Sequence, residues 1–240
     1  ISFTSQSAAQ NDLVPNIAVG DLNGDNLDDV VIAGWNSDSA TSYIRILIQN
    51  SNGSLTDQTS TWLSNNIYGG SQHTFIVDLN NDGYDDILVA PVDNWHVGAT
   101  IPFKTFLNDK TNKNFIEDTT IIRNNIGMIN ARKGVIGDFN GDKKPDIVFS
   151  EIGDDKPPFF GGKVGAILSD NDGKYTFKYV SNEPWYCHAI TSGDFDNNGT
   201  LDIFATGPTK DSYPKLHFLI NDGKGNFTDK NNIVKAKFTS

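Results

Sequence analysis

Asp21-Leu22-Asn23-Gly24-Asp25-Asn26-Leu27-Asp28-Asp29 is one of four copies of a single pattern in this chain. The others run from Asp78 to Asp86 (DLNNDGYDD), from Asp138 to Asp146 (DFNGDKKPD) and from Asp194 to Asp202 (DFDNNGTLD). Each copy carries an oxygen-bearing side chain at positions 1, 3, 5 and 9 and an apolar residue, Leu22, Leu79, Phe139 or Phe195, at position 2. The copies begin at 21, 78, 138 and 194, so the spacings are 57, 60 and 56 residues. A period that regular marks a solenoid, a propeller or an array.

The intervening segments choose among these. A short apolar run follows each Asp-rich loop: Val30-Val31-Ile32-Ala33, Ile87-Leu88-Val89-Ala90, Ile147-Val148-Phe149-Ser150 and Ile203-Phe204-Ala205. These runs are β-rich and too short for helices. Another strand is expected over 43–48, 103–107, 164–168 and 216–220. Turns such as Asn221-Asp222-Gly223-Lys224-Gly225 then lead to strands around Leu55, Phe115, Phe177 and Phe227;. Strands at 17–19, 74–77, 134–136 and 189–192 enter the loops. Four strands per period and no helix predict an all-β chain: a β-propeller of four-stranded antiparallel blades, either a four-bladed ring or part of a larger propeller. The repeats are expected at 12–58, 59–118, 119–180 and 181–232, within one domain, with residues 1–6 as an extra outer strand. Uncovered blade edges would allow self-association by strand addition.

Composition bears on function. The chain has 240 residues, 19 basic against 30 acidic, a formal net charge of -11. Only Glu117, Glu151 and Glu183 among those acids are Glu. Loop positions 1, 3, 5 and 9 hold 12 of the Asp residues, so the acidity is in part a cation-binding signature. Four divalent cations would bring the formal charge to about -3. No basic cluster offers a footprint for nucleic acid. One cysteine, Cys187, excludes an internal disulfide, and no apolar run is long enough to span a membrane;. The sequence opens on Ile1 rather than Met, as expected where a leader or upstream segment has been removed or trimmed;.

Calcium takes six to eight oxygen ligands in a flexible geometry. A loop of alternating Asp and Asn can turn side chains 1, 3 and 5 to one point, add a backbone carbonyl near position 7, and close the cage with position 9. An EF-hand would need a Glu at position 12 leading into a helix, but that position holds Ile32, Val89, Phe149 and Ala205;. Position 6 needs a sharp turn; it is Gly83 and Gly199 in two copies, Asn26 and Lys143 in the others. Lys tolerates a left-handed backbone least, so the third loop is expected to be the most strained. Magnesium fits less well, because it keeps its waters.

The pattern D-h-N/D-x-D/N-G-x-x-D before an apolar strand resembles the FG-GAP/VCBS repeat family, the calcium-bearing blades of integrin α-subunit propellers and of many secreted bacterial proteins. The resemblance covers nearly the whole chain, although the Phe-Gly-Gly-Ala-Pro signature survives only as Phe160-Gly161-Gly162. It implies up to four Ca2+ ions. The implied ligands are Asp21, Asn23, Asp25 and Asp29 with the Leu27 carbonyl, and Asp78, Asn80, Asp82 and Asp86 with that of Tyr84. The third and fourth sets are Asp138, Asn140, Asp142 and Asp146 with Lys144, and Asp194, Asp196, Asn198 and Asp202 with Thr200.

Variable loops after the second strands carry the aromatics Trp35, Trp95, Phe159, Phe160 and Tyr213, with His96 beside them. Such platforms suit a glycan or protein ligand, or cap the blades. Cys187 and His188 are adjacent, and successive strand residues point to opposite faces, so adjacency makes no catalytic pair; a buried thiol and a hydrogen-bonded structural His are expected. No nucleophile elbow or His-Glu-x-x-His motif occurs;. The expected function is a non-enzymatic, calcium-stabilised, lectin-like or adhesive module, secreted or at the cell surface. A polysaccharide lyase or hydrolase on the same scaffold, or a structural segment, are the competing readings.

Overall fold

The computed structural model describes residues 12–36, 41–64, 67–68, 71–91, 98–154, 157, 161–207 and 215–230. The expected outer strand at 1–6 lies outside them. The contacts group into two compact units, one of residues 1–92 and 102–121, the other of 93–101 and 122–240.

The first unit holds two antiparallel sheets. In the first, β1 (Asp12–Gly20), β2 (Asp29–Asn36), β3 (Thr41–Gln49) and β4 (Leu55–Asp57) pair in chain order. A single turn of helix follows, α1 (Thr59–Trp62), where a strand-only pattern was expected. Its entry is fixed by Asp57, whose carboxylate accepts the Thr59 N–H at 3.0 Å and its hydroxyl at 2.7 Å. One turn is too short to show a 3.6-residue period. β5 (Ile67–Tyr68) then adds to β3 as a fifth strand. The second sheet is β6 (Ser71–Val77), β7 (Asp86–Pro91), β8 (Lys104–Asp109) and β9 (Asn114–Asp118).

The second unit repeats the plan. β10 (Ile122–Arg123) pairs in parallel with the outer strand of the third sheet, which runs β11 (Ala131–Gly137), β12 (Asp146–Glu151), β13 (Val164–Ser169), β14 (Tyr175–Tyr179). The fourth is β15 (Ala189–Gly193), β16 (Asp202–Gly207), β17 (Lys215–Asn221) and β18 (Phe227–Asp229). Apart from β5 and β10, each sheet is a four-strand meander, so strands adjacent in sequence are adjacent in space.

Alternation along the strands sets the packing. In the first sheet Val31, Ile44, Ile46 and Ile48 point to one face, with Leu22 beneath them. Ile87, Val89, Phe106 and Phe115 of the second sheet close against that face, joined by Trp62 and Leu63. In the other unit, Val148, Val164, Ala166, Leu168 and Phe139 of the third sheet meet Ile203, Ala205 and Leu219 of the fourth. Each such side chain contributes roughly 1.5–3 kcal/mol by leaving water. The Asp-rich loops sit at the β1–β2, β6–β7, β11–β12 and β15–β16 junctions, so this packing carries all four at the same end of their strand pairs.

Candidate metal loops

Each loop is tied by the same hydrogen-bond pattern. The position 1 carboxylate accepts the N–H of position 5, at 3.1 Å for Asp21, 3.1 Å for Asp78, 3.2 Å for Asp138 and 3.0 Å for Asp194. Its other oxygen accepts the N–H of position 6, at 2.7, 2.8, 2.9 and 3.0 Å. Position 3 (Asn23, Asn80, Asn140, Asp196) accepts from position 5, and position 5 from position 7. These are linked Asx turns, in which a short oxygen-bearing side chain substitutes for a backbone acceptor.

The backbone strain has a clear location. Position 6 is left-handed in all four loops, with φ of 65° at Asn26, 85° at Gly83, 69° at Lys143 and 85° at Gly199. The expected demand on Lys143 is therefore present. Position 4 is left-handed as well, at Gly24, Asn81, Gly141 and Asn197. The sequence signals this second turn by offering only Gly or Asn there, the residues that tolerate that conformation best.

Position 9 differs from the rest. Asp29, Asp86, Asp146 and Asp202 are wholly buried. One oxygen of each accepts the N–H of position 2, from Leu22, Leu79, Phe139 or Phe195 at 2.7–3.0 Å. The other accepts the N–H of a residue at the end of the third strand of the same sheet, the last one or, in the second sheet, the last but one: Gln49 (2.8 Å), Asn108 (2.8 Å), Ser169 (2.7 Å) or Asn221 (2.8 Å). These aspartates thus brace the start of the loop against the sheet, whatever else they bind. Burial pushes the carboxyls of Asp29, Asp86 and Asp146 up, against the opposing pull of those N–H donors, and brings Asp86 to about 6.

In the fourth loop Asp194, Asp196 and Asp202 bring carboxylate oxygens within 4.8 Å of one another, close enough to share one cation. The other loops have Asn at position 3. In the third loop Asp142 is already engaged: Ser169 donates its hydroxyl at 2.9 Å and Lys144 Nζ stands 4.0 Å away. Lys144 is anchored further by a 2.8 Å bond to the Asp170 carbonyl.

Two side chains not anticipated from sequence link neighbouring sheets. Asn108 Nδ2 donates to the carbonyl of Asp85 in its own loop (3.0 Å) and to that of Leu22 in the preceding sheet's loop (2.7 Å). Asn221 does the same toward Leu201 (2.9 Å) and Phe139 (2.8 Å). The available signal was a polar residue ending an apolar strand just before an Asp-led turn, Asn108-Asp109 and Asn221-Asp222.

Cys187 is buried in the core of the second unit, its thiol pushed up to about 12 by burial. His73 Nδ1 lies 2.9 Å from the Asn16 side-chain amide, a tie between β6 and β1. His217, which no sequence signal marked, is buried with Nδ1 2.6 Å from Asp229 and edge-on to Trp185. The side chain of Trp35, and all of Trp95, His96, Phe159, Phe160 and Tyr213, lie outside the described residues. Among the described residues no helix is long and apolar enough to cross a membrane.

The profile of the FG-GAP-like repeat matches residues 9–89 and 138–205, which contain all four loops. The chain is 28% identical over 228 residues to a T-cell immunomodulatory protein homolog of Plasmodium yoelii yoelii, covering 83% of this chain and 31% of that protein. It is 26% identical over 250 residues to the T-cell immunomodulatory protein homolog of Plasmodium falciparum (isolate 3D7), covering 87% and 32%. The chain thus spans about a third of the length of these relatives. The repeat match extends over more than half of the sequence, and the chain belongs to the FG-GAP-like repeat family.

Proposed function

We propose that this chain is a calcium-stabilised, non-enzymatic binding module of an extracellular or surface protein, with its sheets arranged as propeller blades. The observation that carries the calcium part is the fourfold loop. Its position 1, 3 and 5 side chains are held by backbone N–H groups, and in the fourth copy three carboxylates already converge within 4.8 Å. A hard divalent cation fits this donor set of carboxylate, amide and carbonyl oxygens. The ligands are the position 1, 3, 5 and 9 side chains with the position 7 carbonyls of Leu27, Tyr84, Lys144 and Thr200. The ion supplies positive charge that fastens each loop; the third loop, with Lys144 beside Asp142, binds it most weakly.

A protein is the partner favoured over a glycan. The family supplies binding modules, and the relatives carry the name of an immunomodulatory protein. Recognition falls to the loops bearing Trp35, Trp95, Phe159, Phe160 and Tyr213.

Thermal unfolding in excess chelator, then with Ca2+ or Mg2+ restored, tests the metal claim. A ligand of the folded state raises the midpoint by mass action. The expected result is a higher midpoint in Ca2+ and a smaller gain in Mg2+. Equal midpoints in chelator and Ca2+ would remove calcium from the proposal.

A further inference from the structure

In both units the position 2 residue of one loop is covered by the following sheet. Leu22 and Phe139 are each 0% exposed. Leu22 packs in one core with Phe106 and Phe115 of the second sheet, while Phe139 packs with Leu219 and meets Phe227, both from the fourth. In each case the following sheet also sends an amide, Asn108 or Asn221, onto the carbonyl of that residue. The cover has two parts: apolar side chains from the third and fourth strands, and one side-chain amide from the end of the third.

The fourth sheet lacks both. Its position 2 residue, Phe195, is 43% exposed. Among the described residues no side-chain amide is found on its carbonyl. Phe195 stands edge-on to Phe218, with ring centroids 5.5 Å apart, and Phe218 stacks on Phe204 at 4.6 Å. Phe204, Leu216, Phe218 and Ile220 are half-exposed, although they occupy the strand positions of Val31, Ile44, Ile46 and Ile48, which are buried in the first sheet. An apolar surface this continuous is a docking site more often than a solvated one.

The first sheet carries the matching cover on its opposite face. Val30, Ile32 and Leu47 are half-exposed there, at the positions that Ile203, Ala205 and Leu219 use in the fourth sheet to pack on the third. Its third strand ends in Gln49, at the place of Asn108 and Asn221. Gln49 Nε2 donates to the carbonyl of Asp28 in its own loop at 2.9 Å, as Asn108 does to Asp85 and Asn221 to Leu201. Among the described residues its second N–H has no acceptor, whereas those of Asn108 and Asn221 reach the preceding loop.

We infer that the Phe195–Phe204–Phe218 face binds the Val30–Ile32–Leu47 face of a second copy, with Gln49 donating to the Phe195 carbonyl. The contact is head-to-tail, so it places different surfaces on the two partners and can add copies in series. It uses sheet faces rather than strand edges, and it does not depend on the identity of the ligand or the metal.

Sedimentation velocity of the 240-residue chain over a wide concentration range, in Ca2+, tests it together with two face variants, Phe218→Asp and Leu47→Asp. Unchanged near-ultraviolet circular dichroism shows that each variant folds; Phe218→Thr and Leu47→Thr replace any that does not. The wild type is expected to form dimers and larger species as concentration rises. Each variant alone is expected to lose association. Mixed, the two variants still possess one intact face each and are expected to form a dimer and nothing larger. A wild type that stays monomeric throughout, a single variant that associates as the wild type does, or a mixture that stays monomeric each overturns the inference.

Discussion

Asn221 donates its side-chain amide to the backbone carbonyl of Phe139, 2.8 Å away and 82 residues earlier in the chain. The same amide nitrogen reaches the Leu201 carbonyl at 2.9 Å, so one side chain ties the loop of its own sheet to the loop before it. Asn108 makes the equivalent pair of bonds to Leu22 and Asp85.

Removing either amide leaves two carbonyls without their donor, one of them beneath a fully covered residue. Asn221→Ala and Asn108→Ala are each expected to lower stability by about 1–3 kcal/mol, measured by urea unfolding. Asn221→Ala should cost more. Asn221 Oδ1 also accepts the Gly223 N–H, while the buried Asn108 Oδ1 has no partner among the described residues. Asn226→Ala, at an exposed turn, is the control and should change stability by about 0.5 kcal/mol or less;. Equal effects in all three would deny the amides any special role.

Lys143 carries φ of 69° at a position that two sister loops give to Gly. A left-handed backbone costs an L-residue roughly 1–2 kcal/mol, and Gly returns part of that gain as extra chain entropy lost on folding. Lys143→Gly is therefore expected to stabilise by about 0.5–1 kcal/mol. Gly199→Lys, the reverse exchange in the fourth loop, should destabilise by a similar amount. A neutral or destabilising K143G would show that the third loop has relaxed around its lysine.

The thiol of Cys187 lies in the core among Trp185, Ile203 and Leu219, and burial pushes it up to about 12. Thiolate is the reactive form, so an aromatic disulfide reagent at neutral pH should label the native protein very slowly and the urea-unfolded chain at once. Rapid native labelling would place the sulfur at the surface.

Glu151 is buried, and desolvation raises its pKa above the ordinary 4.5 although the N–H groups of Ile129 and Lys163 pull the other way. The folded state therefore favours the protonated form. The stabilising contribution of this group is full below pH 4.5 and is lost as pH rises through the higher, folded value;. Glu151→Gln cannot ionise. The melting midpoint of the variant minus that of the wild type, at fixed Ca2+, should rise from acid toward neutral pH. A difference that stays flat with pH would show that Glu151 titrates alike in both states.

The Asp-rich loops and the four-strand meander were legible because both are local. Side-chain type at alternate positions sets the Asx turns, and the apolar runs set the strands. The left-handed positions 4 and 6 were half legible: Gly83 and Gly199 marked position 6, but Gly24, Asn81, Gly141 and Asn197 at position 4 passed unread. The double role of Asp29, Asp86, Asp146 and Asp202 was not legible, since their partners Gln49, Asn108, Ser169 and Asn221 lie 19–23 residues further on. Two-residue β10 pairs in parallel with β14, more than 50 residues away, and carries too few residues for any period. The aromatic loops lie largely outside the described residues, and the reading of them as a recognition face rests on sequence.

The side-chain amides of Asn108 and Asn221 both reach back toward the N-terminus. Within the first sheet every strand pair closes over a short stretch of chain, so a nascent polypeptide can complete that sheet before the next has been synthesised. The Leu22 carbonyl must then wait for Asn108, and that of Phe139 for Asn221. Order is thus built into assembly within each unit: the first and third sheets are locked by the arrival of the second and fourth. A ribosome-stalled chain ending before residue 108 would carry a formed but unlatched first sheet, and pulling from the C-terminus would be expected to draw the fourth sheet away and unlatch the third.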